Sequence, residues 1–264
     1  MYVLYKNHIV ADPAHSNWRN RDRFVLSSGH TCALLYAMLH VTGYDVSMDD
    51  LKQFRQLGSK TPGHPEYGWT DGIDASAGPL GQGIPQAVGM AMAEEALRAS
   101  YPEGAEVTNH YTYCVCGDGC LEEGISQEAI SFAGLQKLSR LILIYDENVS
   151  TLDGPTSNSM NDDVAMRFES CHWNVIDVPN GEDIDALDAA FTEAKKSEDK
   201  PTVIIMHTHI GYGTDLECSN KCHGSPLGKE MGAKAKANYG YDGEEFSMPE
   251  EVYQIFKDTF AARG

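Results

Sequence analysis

From residue 111 to residue 208 the chain alternates short apolar runs with stretches of helical period, and this order restricts the fold more than any other feature. "YTYCVC" precedes "EEGISQEAISFAGLQKL", "LILIYD" precedes "DVAMRFESC", and "HWNVIDV" precedes "DIDALDAAFTEAKK", after which comes "TVIIMHT". Strands that alternate with helices in this way build βαβ units around a parallel sheet. The runs "LILIY" and "VIIM" show no polar alternation, as expected of strands covered by helices on both faces. The expected fold is therefore α/β, a doubly wound, mostly parallel sheet with helices on both faces. No composition shift or repeat marks a boundary, so residues 1–264 read as one domain, long enough to bury a sizeable core.

The first half carries helical signals and a long loop. "SSGHTCALLYAMLHVTG" predicts a buried helix whose N-terminus presents Gly29-His30, and "SMDDLKQFRQL" predicts an amphipathic helix capped by Ser47. Residues 1–24 read as a helix end and a loop broken at Asp12-Pro13. The Gly- and Pro-rich stretch 58–83 is too long for an idle loop and points to function. "IPQAVGMAMAEEALRA" reads as another buried helix and "MPEEVYQIFKDTFAARG" as a closing one.

A formal net charge of −19 argues against a nucleic-acid partner, which would require clustered cations. No apolar run reaches membrane-spanning length, and no leader pattern opens the chain, so the expected setting is the cytoplasm, with no membrane partner. The seven cysteines are an odd number in such a chain and read as free thiols. Cys114 and Cys116 share one strand face, whereas the following turn is expected to direct Cys120 elsewhere. "CSNKCH" at 218–223 lacks a second pair at zinc-finger spacing and reads as incidental clustering in a loop.

In parallel sheets ligands bind at the carboxyl ends of strands. Those ends carry Gly117-Asp118-Gly119, Asp146-Glu147-Asn148 and "HIGYGTD". Glycines let backbone amides approach an anion at a helix start, and Asp118 adds a hard oxygen ligand. Asn148 follows one crossover later and offers a second ligand for a divalent cation shared with phosphate oxygens; a carbonyl near Ser150 would complete the set. An EF-hand reading of "DENVSTLDGPTS" fails at its sixth and twelfth positions, Thr151 and Ser157. The dinucleotide fingerprint fails for want of its third glycine. His8, His15, His40, His110, His172, His207 and His209 read as satisfied surface or core residues.

These residues carry a family resemblance. "GDGCLEEGISQEAISFAGLQKLSRLILIYDEN" resembles the thiamine diphosphate motif, and "DRFVLSSGH", "FRQLGSKTPGHPE", "GPLGQG", "DDVAMRFESCHW" and "CHGSPLG" resemble transketolase in order and spacing, from about residue 4 to 260. The resemblance implies the diphosphate-binding domain of that family. It puts Asp118, Asn148 and the Ser150 carbonyl on Mg2+, with Ca2+ or Mn2+ as substitutes, and Gly119, beside Gly117, on the diphosphate. It places His30 and His223 beside the diphosphate and the reacting carbon, and His64 at the donor sugar. Gly78, Leu80 and Gly81 would touch the cofactor's rings, and Glu123 and Glu128 would link paired sites across a subunit interface. The implied reaction is transfer of a two-carbon ketol unit from a ketose phosphate to an aldose phosphate.

1-Deoxyxylulose-5-phosphate synthase and 2-oxoacid dehydrogenase E1 subunits share the Gly-Asp-Gly to Asn pattern, but "TPGHPE" and "CHGSPLG" favour transketolase. The family's upstream Gly-His-Pro-Gly turn and its pyrimidine-binding domain have no counterpart here. The expectation is a split enzyme, in which this chain self-associates and joins a pyrimidine-binding, C-terminal subunit in a heterotetramer. A cofactor-binding or oligomeric remnant without turnover is the competing reading.

Overall fold

The computed structural model describes residues 1–101, 103 and 107–263. Five parallel strands form one sheet in the order β1-β2-β3-β5-β4. They are β1 (Arg23–Leu26), β2 (Thr112–Gly117), β3 (Leu141–Glu147), β4 (Asn174–Val178) and β5 (Thr202–His207). Successive side chains on a strand point to opposite faces, and each face holds its own apolar layer. On one face Tyr113, Ile142, Ile144 and Ile204 pack with α1 (Cys32–Thr42), α7 (Ile184–Ala194) and α9 (Glu250–Ala261), through residues such as Tyr36, Phe191 and Phe256. On the other, Cys114, Leu143, Tyr145 and Val203 pack with α3 (Gly83–Ser100), α5 (Gly124–Leu135) and α6 (Val164–Ser170), through Ile84, Ile130 and Phe168. Among the described residues the remaining α-helices are α2 (Met48–Lys52), α4 (Asp118–Leu121) and α8 (Gly228–Asn238). Among the described residues no helix is long and apolar enough to cross a membrane.

The α/β sheet with helices on both faces is as expected, and several local readings change. β1 was not anticipated: four residues are too few to show a period, and charged neighbours mask them. The segment before it holds a five-residue helical turn, Leu4–His8, and a single turn at Pro13–His15. His30 lies in a single turn at Gly29–Thr31, and helix α1 starts directly after it, at Cys32. Helix α2 has its Ser47 capping box with Asp50 but ends at Lys52, and Arg55 adopts a φ of 62°, which no continuing helix allows. Helix α3 is only half buried, with Met92 and Leu97 exposed. Cys120 is not sent elsewhere: it is buried in the same layer as Cys114 and Cys116. Burial pushes the Cys114 and Cys116 thiols up, so these cysteines behave as small core residues.

Two buried carboxylates fasten β1. Asp74 forms a bidentate pair with Arg21, at 3.0 and 2.5 Å, and accepts the Phe24 N–H at 2.8 Å, which ties the 58–83 loop to the strand. Asp22 accepts the N–H groups of Val10 at 2.8 Å and Tyr111 at 2.7 Å. Burial outweighs both bonds and pushes the Asp22 carboxyl up to about 6. The folded chain thus holds a proton that the unfolded chain releases near pH 4, so this group's contribution falls as pH rises between about 4 and about 6. Urea midpoints should decline across that interval, and Asp22→Asn should remove part of the slope. Asp22→Ala leaves two buried N–H groups without an acceptor and should cost about 2–4 kcal/mol in the same assay.

Candidate active site

The β2–β3 register pairs Gly117 with Asp146, so the chain segments leaving the two strands emerge side by side. Asp118 opens α4 and Asn148 follows β3, and the Asn148 N–H donates to Asp118 Oδ2 at 3.3 Å. The Ser150 N–H donates to Asn148 Oδ1 at 3.1 Å, leaving that oxygen a second lone pair. Between them Val149 takes a φ of 52°, a costly conformation for a β-branched residue. That turn holds Asn148 and Ser150 against the same space.

The cavity at these strand ends brings together His30, Leu80, Gly117, Asp118, Gly119, Asn148, Ser150 and His223. The rings of His30 and His223 lie 5.1 Å apart at 34°. His30 has an exposed edge, yet partial desolvation holds it below the usual imidazole range, and the neighbouring His223 and His64 push in the same direction. It is therefore neutral at pH 7. His64, Gly78 and Gly81 stand outside the lining. The His64 ring faces Gly78, and a Cβ on Gly78 would sit 3.8 Å from it. Gly81 packs on Glu123, where a Cβ would come within 2.6 Å of the Glu123 side chain. Gly29 approaches the same loop so closely that a Cβ would lie 2.9 Å from the Ala77 carbonyl oxygen, which clamps the His30 turn to residues 77–81. Glu123 immediately precedes α5, and both it and Glu128 are exposed, beside exposed Ile125 and Phe132.

The electrostatics are one-sided. Asp118 is 3% exposed, and no lysine or arginine among the described residues pairs with it. Burial pushes its carboxyl up to about 6, with Asp146 and Glu147 adding to the effect, although Tyr145 donates its hydroxyl at 2.7 Å. Asp146 is raised as well, first by burial, and is held by the Thr208 hydroxyl at 2.5 Å. Tyr145, Asp146 and Thr208 were not singled out from the sequence. Tyr145 ends an apolar run and reads there as core, and only its place beside "DEN" signals a second duty.

The whole of residues 1–264 matches the family model described as "Transketolase, thiamine diphosphate binding domain". This chain belongs to the transketolase family. It is 50% identical over 266 residues to the transketolase of Geobacillus stearothermophilus, which takes in 100% of this chain and 40% of that protein. Transketolase 1 of Saccharomyces cerevisiae is 51% identical over 256 residues, covering 96% and 38%. Among solved structures, the transketolase from Leishmania mexicana superposes with a TM-score of 0.96 at 43% identity, over 98% of this chain and 39% of that one. The chain therefore spans about 40% of the length of the relatives it matches. Its sheet is that of the family's thiamine diphosphate binding domain.

A site built on a buried carboxylate with no lysine or arginine beside it among the described residues has a stability signature. In the cofactor-free protein at pH 7, Asp118→Asn should equal or exceed the parent's urea midpoint, because it removes a buried charge that has hydrogen-bond donors but no cationic side chain beside it. Tyr145→Phe should lose about 1–2 kcal/mol, since it strips a hydrogen bond from that same charge.

Proposed function

We propose that this chain is the diphosphate-binding subunit of a split, thiamine diphosphate and Mg2+ dependent transketolase, which moves a two-carbon ketol unit from a ketose phosphate to an aldose phosphate. The observation that carries the reading is Asp118, buried at a Gly-Asp-Gly turn beside Asn148 and Ser150, with no lysine or arginine paired to it among the described residues. A divalent ion takes this mixture of one carboxylate, one amide oxygen and one carbonyl when phosphate oxygens supply the rest. The residues present thus fit the group, with Asp118, Asn148 and the Ser150 carbonyl on the metal and the Gly119 N–H on the diphosphate; Ca2+ or Mn2+ would fit the same oxygens. When bound, the cofactor's thiazolium ring supplies the carbon that carries the two-carbon unit.

The chain's own groups would bind, orient and move protons. His30, neutral at pH 7, can accept a proton or a hydroxyl hydrogen bond, and His223 lies against it. His64 faces the same loop and suits the hydroxyl end of the donor sugar. Leu80 lines the cavity, and the loop that carries it, with Gly78 beside the His64 ring and Gly81 against Glu123, would meet the cofactor's rings. Glu123 and Glu128, with Ile125 and Phe132, form the exposed face through which two copies would meet. A pyrimidine-binding chain would complete a heterotetramer. Buried free thiols suit a cytoplasmic setting.

Thiamine diphosphate and Mg2+ should be titrated into the chain alone and with a pyrimidine-binding transketolase chain, followed by tryptophan fluorescence and a ketol-transfer assay. Saturable binding in both cases, with turnover only in the mixture, is expected. Full activity from the chain alone would overturn the split arrangement, and absence of binding in both would overturn the cofactor reading. Asp118→Asn should weaken Mg2+ dependence roughly tenfold or more, about 1.4 kcal/mol. Because Asp118 must lose its proton to hold the ion, apparent Mg2+ affinity should fall as pH drops below about 6.

A further inference from the structure

We propose that His209, Glu217 and Cys218 form a second cation site, separate from the strand-end cleft, for a thiophilic divalent transition metal of the Zn2+ class. Among the described residues one group of three His, Cys or acidic side chains has its ligand atoms all within 4.8 Å of one another, and it is this one. The set combines an imidazole nitrogen, a carboxylate oxygen and a sulfur, which suits Zn2+ and its neighbours rather than Mg2+ or Ca2+.

The backbone explains the meeting of residues nine positions apart. The Cys218 N–H donates to the Ile210 carbonyl at 2.9 Å, which closes the loop and sets Cys218 beside His209. Cys218 takes a φ of 59° there. Glu217 is oriented by two donors: the Gly213 N–H reaches its Oε2 at 3.0 Å, and His209 Nδ1 lies 3.0 Å from its Oε1. Tetrahedral bonds of about 2.0–2.3 Å place ligand atoms roughly 3.5 Å apart, so exposed side chains need shift by only about 1 Å. On binding, the metal–sulfur bond forms as the Cys218 thiol gives its proton to solvent, and water fills the fourth position. Cys222 stays out of the set, because its sulfur is turned to the Ser219 carbonyl at 3.0 Å. A net charge of −19 favours cations at the surface generally, whereas the thiolate supplies the selectivity.

The alternative is an ordinary exposed His209–Glu217 ion pair beside an unrelated thiol, and such pairs stabilise little. Location gives the site a consequence. Just beyond it Asn220 donates to the Leu152 carbonyl at 3.1 Å, and His223 meets His30. A cation at 209–218 would brace the loop that delivers both.

Co2+ titrated into the tag-free, reduced full chain reads the site directly. One equivalent should give tetrahedral visible bands and a near-ultraviolet thiolate-to-cobalt band, and Zn2+ should displace both. Cys218→Ser should abolish the thiolate band. His209→Ala and Glu217→Gln should each weaken binding roughly tenfold or more. Cys222→Ser and Asp118→Asn should leave the spectrum in place. Loss of the band in Cys222→Ser with retention in Cys218→Ser would overturn the assignment, as would a signal that disappears with Asp118→Asn or the absence of any thiolate band. The readout needs neither thiamine diphosphate nor turnover, so its failure leaves the transketolase reading standing.

Discussion

The arrangement turns on a cost the fold accepts at one place: Asp118, Asp146 and Glu147 crowd the ends of β2 and β3 with no lysine or arginine among the described residues paired to them. Like charges in a partly desolvated setting oppose folding, and here burial raises the Asp118 and Asp146 carboxyls. What tolerates this is the apolar packing on both sides of the sheet, together with donors aimed at each acid. Tyr145 and the Asn148 N–H serve Asp118, Thr208 serves Asp146, and His207 lies between Glu147 and Asp177 at 2.5 and 2.7 Å. The parallel register makes the crowding unavoidable, because neighbouring parallel strands bring their carboxyl ends to the same edge.

Close backbone approaches then link that edge to its surroundings. Gly29 lets the His30 turn touch Ala77, and Gly81 sits against Glu123 at the start of α5. A side chain at either glycine would push apart segments that share the cleft. The loop carrying Leu80 is thus wedged between the His30 turn and the exposed face around Glu123 and Phe132. A displacement on that face has a short steric route to the cleft, through Glu123, Gly81 and Leu80.

How much of this was legible in the sequence depended on periodicity and on chain-local chemistry. The strands from β2 to β5 and their helices were readable, since apolar runs of five to seven residues alternate with helical stretches. β1 is four residues long between charged neighbours, and its place at the sheet edge next to β2 is a non-local fact. Likewise nothing local dictates that β5 lies between β3 and β4. At the cleft, Asp118 and Asn148 were readable because one βαβ crossover sets their spacing. Tyr145 was not, since a tyrosine closing an apolar run looks like core. The meeting of His209, Glu217 and Cys218 was hidden for a related reason: by spacing alone Cys218 and Cys222 read as incidental clustering, whereas folding turns Cys218 toward His209 and Glu217.

The segment from Thr208 to Asn238 differs in kind from the rest. Of its residues only Ala235 is buried, so its place is set by polar contacts rather than by the core: Thr208 to Asp146, Asn220 to Leu152, Asn238 to Gly213 and Lys234 to Asp215. Segments held this way open at a small fraction of the global unfolding free energy. Yet this segment brings His223 to His30 in the strand-end cleft. Positional precision at His223 therefore has to come from whatever binds on either side of it. Ligand free energy spent on ordering this segment is subtracted from observed affinity, so pre-ordering it from the outside, at residues 209–218, would tighten binding in the cleft without touching a residue that lines it.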